Sequence, residues 1–465
     1  MTSQKITRRA SMTIQMLVEQ QRTFFATGKT KPLATRIAML KRLKAVVVAH
    51  IPAINQALME DLNKGEAEAY LSEIGIVLSE LSATINALPR WIRPKRAHTP
   101  LALFSAKSRL YPEPLGVTLV MSPWNYPFQL AMIPLIGAVA AGNTCIVKPA
   151  SYAKATSQVI DQMIREAFDP EFVSCVLGGR NENQTLLDQR FDAIFFTGSS
   201  AVGKVVMEKA SKYLTPVTLE LGGKSPCVID DSLDYALVAK RIAFGKLLNA
   251  GQTCVAPDYV FVPEHLVEPF VKELTAAITQ MVGEDPLKNP DYPKIINQKH
   301  YERLLGLIKD ETIALGGLGD GMKIAPTILI NVKSDSPVMQ EEIFGPILPI
   351  LSYRSIDDVI EEIRKRPKPL AFYLFSKNKA LQNRLFDQLS FGGATINDTI
   401  MHFASSAMGF GGVGDSGMGR YHGYHSFLTF TNMRSVLFRS TSIDLQMRYH
   451  PYTKSKQSLI RMFLK

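Results

Sequence analysis

From about residue 10 to residue 90, apolar positions recur at helical spacing, as in Ala34-Thr35-Arg36-Ile37-Ala38-Met39-Leu40-Lys41-Arg42-Leu43, which predicts long amphipathic helices. The pattern breaks between Pro89 and Pro100, and residues 109–114 read as a basic-to-proline turn. Residues 115–121 then form a continuous apolar run bounded like a buried strand. Similar runs at 144–148, 173–177 and 193–197 are separated by helical segments such as 156–168. Strands that alternate with helices imply a doubly wound parallel sheet. A second alternation starts near Glu220: strands at 226–229, 259–262 and 371–375, with helices at 235–248 and 266–282. Residues 331–349 read as irregular, and beyond Asn397 the chain is glycine-rich from 409 to 419, then aromatic and polar. There is no convincing internal repeat and no low-complexity tract. The fold class is α/β with two doubly wound parallel-sheet domains, in keeping with 465 residues, 46% of them apolar, which exceed what one simple core holds.

Composition narrows the setting. Cys145, Cys175, Cys227 and Cys254 lack metal-type spacing, which points to reduced thiols and the cytoplasm. Arg8-Arg9 precedes a stretch too polar for a signal core, so the twin arginine reads as chance and the stretch as helix. The longest apolar stretch, 128–141, contains Gln129, Pro134 and Gly137 and falls short of the ~20 residues of a membrane span, so it is expected to be a buried helix. The net charge of +11 is dispersed among acids and does not imply nucleic acid. Only the chain end departs from this: Arg434, Arg439, Arg448, Lys454, Lys456, Arg461 and Lys465 face only Asp444. A tail of this kind, 451–465, suits solvent, a subunit contact or weak peripheral lipid contact, and is too short to anchor.

Two motifs match by letter only. Residues 198–204 resemble a P-loop, but Val205 stands where a magnesium-binding Ser or Thr is required. Residues 412–417 fit GxGxxG but follow a loop-like region, so a mobile or tightly turned loop is expected. His422 and His425 lack a supporting carboxylate or cysteine cluster and read as surface or hydrogen-bonding histidines, and no metal site is expected. Four other stretches carry chemistry. Phe195-Phe196-Thr197-Gly198-Ser199 runs from a strand into a helix start and offers backbone N–H groups to an anion, or is a routine turn. Leu219-Glu220-Leu221-Gly222-Gly223-Lys224 holds a carboxylate in an apolar setting that raises its pKa, as a general base needs; the alternative is a structural ion pair, with Lys224 as one candidate partner. In Pro123-Trp124-Asn125-Tyr126-Pro127, Asn125 follows a strand end and suits an oxyanion donor or a turn former. Asn249-Ala250-Gly251-Gln252-Thr253-Cys254 puts a thiol at a turn, where it is a nucleophile if partners surround it and a small buried hydrophobe if they do not.

In their order along the chain, PWNYP (123–127), KPAS (148–151), FTGSSAVGK (196–204), LELGGKSP (219–226), GQTC (251–254), EEIFGP (341–346) and GFGGVGDSGMG (409–419) resemble the aldehyde dehydrogenase superfamily. RPKPLAFYLFS (366–376), ATINDTIMH (394–402) and SGMGRYHGYHSF (416–427) look like its class 3 branch, which acts on aliphatic and aromatic aldehydes and is typically dimeric. The resemblance implies Cys254 as nucleophile, Glu220 as general base, and Asn125 with the Cys254 backbone N–H as oxyanion donors. It implies NAD and/or NADP as cofactor: Lys148 at the adenosine ribose, Gly198, Ser199, Val202 and Gly203 at the pyrophosphate, Trp124 and Leu221 beside the cofactor, and Glu342 and Phe344 at the nicotinamide ribose and ring.

Ser151 departs from the family, which often has glutamate there; without that carboxylate a 2′-phosphate is not repelled, and dual NAD/NADP use is expected. The implied organisation is a cofactor-binding domain (1–102 and 117–219), a catalytic domain (220–396), a glycine-rich return segment near the active site (397–423), oligomerisation arms (103–116 and 424–450) and the basic tail. A homodimer acting on small aldehydes follows from the same resemblance. Acyl transfer to coenzyme A and a catalytically silent structural relative are the alternatives. Glu220 argues against the first, and the joint presence of Cys254, Glu220 and Asn125 against the second.

Overall fold

The strand Val117–Met121 is buried at every position and lies inside a six-stranded sheet. Across that sheet the order is Gly417–Met418, Val217–Glu220, Ala193–Thr197, Val117–Met121, Thr144–Lys148 and Val173–Cys175. All neighbours are parallel except the first pair. The chain winds outward in both directions from Val117–Met121, so a crevice opens beyond the carboxyl ends of that strand and Ala193–Thr197, where α/β sheets bind ligands. The computed structural model describes residues 13–464. Arg8-Arg9, the first residues of the expected N-terminal helix and Lys465 lie outside the described residues.

The expected buried helix is Gln129–Ala141, enclosed on all sides. Each wholly buried Leu, Ile or Met in it contributes about 1.5–3 kcal/mol of apolar burial. Among the described residues one helix, Glu66–Trp91, is long and apolar enough to cross a bilayer. It instead packs Ile74, Val77, Leu81, Leu88 and Trp91 into the core, and its buried Glu73 and Glu80 accept backbone N–H groups from Phe128 and Gly423. Pro89 does not end this helix, which runs to Trp91.

The second sheet has seven strands in the order Thr312–Leu315, Thr327–Ile330, Ile347–Tyr353, Tyr259–Pro263, Pro226–Ile229, Ala371–Phe375 and Gly393–Ile396. Only Thr312–Leu315, at one edge, is antiparallel. The region expected to be irregular to Pro349 thus gives way to a strand at Ile347. Pro349 reads as a breaker, but it sits where this strand changes partners: Ile347 to Pro349 pair with Thr327–Ile330, and Ile350 to Tyr353 with Tyr259–Pro263. A missing N–H disrupts least at such a junction.

Residues 109–114, read as a turn, belong to the strand Lys107–Pro114, which pairs antiparallel with Thr431–Phe438. Pro112 and Pro114 lie past the stretch that pairs with Lys95–Ala97, so no hydrogen bond is lost on that side. Lys95–Ala97 joins this three-stranded sheet ahead of the arm boundary expected at 103. Residues 412–417 form a tight turn in which Val413 N–H donates to Ser416 Oγ at 2.9 Å. His422 is buried against Tyr421, with ring centroids 4.3 Å apart, and is not a surface residue. Among the described residues no group of His, Cys, Asp and Glu suits a metal ion. The tail forms the helix Lys454–Phe463, capped by Thr453 and with no buried residue.

Candidate active site

The cysteine loop starts where the helix Tyr235–Leu247 gives way to a turn in which Asn249 and Ala250 both adopt left-handed backbone angles, φ 54° and 49°. For non-glycine residues such angles cost of order 1–3 kcal/mol each and persist only when the surroundings impose them. Here the surroundings do. Asn249 N–H donates to Glu68 Oε1 at 2.7 Å, and its side-chain amide donates to the Asn125 carbonyl at 2.7 Å. The Gln252 amide donates to the Asn249 and Lys294 carbonyls, each at 3.0 Å. Gly251, at φ 71°, completes the turn with its α-carbon against the Gly345 carbonyl, where a Cβ would lie 2.2 Å from that oxygen. The loop of Cys254 and the loop of Glu342 and Phe344 therefore touch backbone to backbone.

Between them lies a cavity of about 400 Å³ at the carboxyl ends of Val117–Met121, Ala193–Thr197 and Val217–Glu220. Cys254, Glu220, Asn125, Trp124, Gly198, Ser199, Leu221, Glu342 and Phe344 all line it. Asn125, 3% exposed, donates one amide hydrogen to the Gln252 carbonyl at 3.0 Å, which leaves the other free. Glu220 is 2% exposed and neither carboxylate oxygen has a hydrogen-bond partner among the described residues. Burial pushes its pKa well above the usual carboxylate range, with Arg420 in partial opposition. The structural alternative for Glu220 is not realised: Lys224 pairs with Asp258 and donates to the Val338 and Glu341 carbonyls at 2.9 and 2.8 Å. The Cys254 thiol is pushed up to about 12 by burial and by the carboxylates of Glu342 and Glu220, with the backbone N–H groups of Cys254 and Val255 pulling the other way.

Glu342 is raised to about 8 by burial, with Asp258 adding to the effect. Its carboxylate lies over Gly222, where a Cβ would come 2.0 Å from Oε2, and its Oε1 has no hydrogen-bond partner among the described residues. Phe344 meets the Trp124 ring edge-on at 5.3 Å. Ser199 caps the helix Ser200–Ser211 by accepting from Val202 N–H, and Gly203 brings that helix close to Leu221. Lys148, Ser151, Val202 and Gly203 lie outside the lined cavity. Buried Lys148 donates to the Pro149 and Gly178 carbonyls at 2.9 and 2.8 Å, while Ser151 and Val202 are exposed. A dinucleotide fits these features: a strand that leads into the N-terminus of the helix Ser200–Ser211, an apolar cavity, and a carboxylate oxygen without a partner among the described residues.

The sequence reading missed His300 and Arg303. Both stand on the helix Gln298–Leu307 and line the cavity, His300 with its ring 5.2 Å from Trp124. Arg303 donates to Glu341 Oε1 at 2.7 Å and to the Ile343 carbonyl at 2.5 Å, bracing the Glu342 loop. No short motif marks them; only the pairing of sheet strands brings that helix to the cavity. The other cysteines have different surroundings: Cys145 and Cys227 are buried in strands, and half-buried Cys175 ends the edge strand Val173–Cys175 of the first sheet.

The pattern of the Aldehyde dehydrogenase family matches residues 2–436. The chain belongs to this family. It is 46% identical over 457 residues to a 4,4'-diaponeurosporen-aldehyde dehydrogenase of Staphylococcus aureus, covering 97% of this chain and 99% of that protein. It is 43% identical to an aldehyde dehydrogenase family 3 member A2 of Macaca fascicularis, covering 96% and 93% of the two chains. A dimeric NADP-preferring aldehyde dehydrogenase of Canis lupus familiaris is 42% identical, with 94% and 98% covered. Among solved structures, the substrate-bound state of Staphylococcus aureus AldH superposes with a TM-score of 0.95 at 45% identity, covering 98% of this chain and all of that one. This aldehyde dehydrogenase is accordingly an enzyme of the class 3-like branch that oxidises aldehydes.

Proposed function

We propose that this aldehyde dehydrogenase converts apolar aliphatic or aromatic aldehydes to carboxylic acids through a thioester on Cys254, with NAD and NADP both accepted. The observation that carries the reading is the convergence of Cys254, Asn125 and an unpartnered, buried Glu220 on one cavity. Cys254, as thiolate, attacks the aldehyde carbon. The free amide hydrogen of Asn125 and the Cys254 N–H hold the oxygen as it becomes anionic, a contribution of about 3–4 kcal/mol per preorganised donor. NAD(P), when bound, supplies the hydride acceptor. Trp124, Leu221, Glu342 and Phe344 line the cavity that would hold its nicotinamide end, and Gly198, Ser199, Val202, Gly203, Lys148 and Ser151 would lie along its pyrophosphate and adenosine side. Glu220 then takes a proton from water, the resulting hydroxide cleaves the thioester, and the acid leaves with the Cys254 thiol restored.

The apolar walls formed by Leu130, Trp124 and Phe344 support an apolar substrate. Glu220 supports water over coenzyme A as the acyl acceptor. Incubating the enzyme with short aliphatic, long aliphatic and aromatic aldehydes tests the reading: free acid and reduced cofactor should form in equal amounts without coenzyme A. Acid formation that requires coenzyme A, or no cofactor reduction with any aldehyde, overturns it.

Dual cofactor use rests on Ser151 and is supported by the NADP preference named for the canine relative. The kcat/KM values for NAD and NADP should fall within about a hundredfold of each other, roughly 2.7 kcal/mol. Ser151→Glu should lower NADP use by about tenfold relative to NAD, the scale of one like-charge contact. A larger preference of the parent enzyme for NAD sinks the proposal.

Homodimerisation through the sheet of Lys95–Ala97, Lys107–Pro114 and Thr431–Phe438 is supported by its exposed strands and by the dimeric relative. The exposed helix Lys454–Phe463 supports weak peripheral contact with anionic lipid. Light scattering should give twice the chain mass, and sedimentation with anionic vesicles should carry down a salt-sensitive fraction. A monomer excludes the first and absence from the vesicle pellet the second. Four free thiols support residence in the cytoplasm, which cell fractionation checks.

A further inference from the structure

Beneath the Asn125 turn lies an ion pair that the chemistry above does not use. Lys64 and Glu73 are both 0% exposed, and the ammonium lies 2.6 Å from Glu73 Oε1. Burying two charges is costly unless further hydrogen bonds satisfy them, and here those bonds all reach one segment. Glu73 Oε2 accepts from Phe128 N–H at 2.9 Å and from Gln129 N–H at 3.2 Å, at the positive end of the helix Gln129–Ala141. The Lys64 ammonium reaches the Asn125 carbonyl at 3.4 Å and stands 4.3 Å from the centre of the Tyr126 ring. The pair therefore grips residues 125–129 at both ends.

The same contacts continue into the cysteine loop. The Asn125 carbonyl accepts from the Asn249 amide, and the Asn125 amide donates to the Gln252 carbonyl, two residues before Cys254. A break in helical register brings Glu73 to this place. Within Glu66–Trp91, residues Tyr70–Ile74 form a π-helical turn, and Ser72, Glu73 and Ile74 are buried in succession, which a regular helix with one buried stripe does not present. Such turns are rare and recur at functional sites.

We infer that Lys64 and Glu73 are positioning residues that fix the side-chain amide of Asn125 at the oxyanion position. The inference rests on the assignment of Asn125 as oxyanion donor. At a reacting centre a displacement of roughly 1 Å costs about a hundredfold in rate, so a backbone clamp one residue from the amide acts on catalysis as well as on folding.

The test is a double-mutant cycle. Lys64→Met/Glu73→Gln removes both charges, while the glutamine still offers an oxygen to Phe128 and Gln129. Glu73→Gln alone strands the Lys64 charge, and if it fails to fold the neutral double variant carries the test. The readouts are thermal unfolding, NAD affinity by fluorescence titration, the single-turnover rate of cofactor reduction, and hydrolysis of p-nitrophenyl acetate, which needs the oxyanion site but no hydride acceptor. The double variant should remain folded, bind NAD as the parent does, and lose about 10- to 100-fold in both rates. Added to Asn125→Ala, the same pair of substitutions should cost less than about threefold more, because the shared route is already lost. Full multiplication of the two effects, or parental rates in the double variant where Asn125→Ala is slow, overturns the inference. If Asn125→Ala itself keeps the parental rates, the oxyanion assignment fails and the inference falls with it, and that failure is visible in the single variant alone.

Discussion

Cys254→Ala is expected to lower steady-state turnover by about 10⁴-fold or more, while leaving NAD affinity and thermal unfolding close to those of the parent. Losses of this size follow when the group that forms the covalent intermediate is removed, because the remaining oxyanion donors and binding surfaces have nothing to act on. The half-buried side chain lies at the cavity wall, so truncation leaves little unfilled core. Pre-steady-state mixing with aldehyde and NAD should show no burst of reduced cofactor. In the free parent enzyme the thiol is pushed up to about 12, so below that pH the thiolate fraction grows about tenfold for each unit by which the pH is raised, and kcat/KM should rise with pH. A burst in Cys254→Ala would assign the covalent step to another residue.

Glu220→Gln is expected to separate the two halves of the reaction. The burst should survive, at about one equivalent per site, and the steady rate after it should fall by about 10²- to 10⁴-fold, the range attributed to a positioned proton acceptor. Added hydroxylamine, which attacks a thioester without needing a base, should restore much of the turnover. The pH dependence has a definite sign. Burial favours the neutral acid and raises the pKa of Glu220 well above the usual carboxylate range, and only the carboxylate accepts a proton from water. Thioester hydrolysis should therefore increase with pH over a limb displaced to higher pH than an ordinary glutamate gives, and Glu220→Gln should erase that limb. Loss of the burst together with the steady rate would move Glu220 to the first half of the reaction.

Much of this site was legible one stretch at a time. The strand before Asn125 and the strand before Gly198 are apolar runs that end in turn residues, and both appear where the pattern puts them. Glu220 between leucines implied an elevated pKa, and its burial produces one. The misreadings also have local causes. Pro349 and the prolines of residues 109–114 signal breaks, but Pro349 falls where its strand changes partners, and Pro112 and Pro114 lie past the pairing with Lys95–Ala97. His300, Arg303, Lys64 and Glu73 carry no motif, and they matter through what they touch.

The sequence by itself determined the alternation of strands and helices, the cysteine at a turn, the carboxylate in an apolar setting and the amide after a strand. These depend on side-chain periodicity and on turn chemistry, which act over a few residues. Only the tertiary structure decided that the four stretches share one cavity, that Lys224 pairs with Asp258 and leaves Glu220 free, and that the turns at Gly251 and Gly345 meet backbone to backbone. Those outcomes depend on the order of strands in two sheets and on which buried charges find partners, and a linear pattern does not contain either.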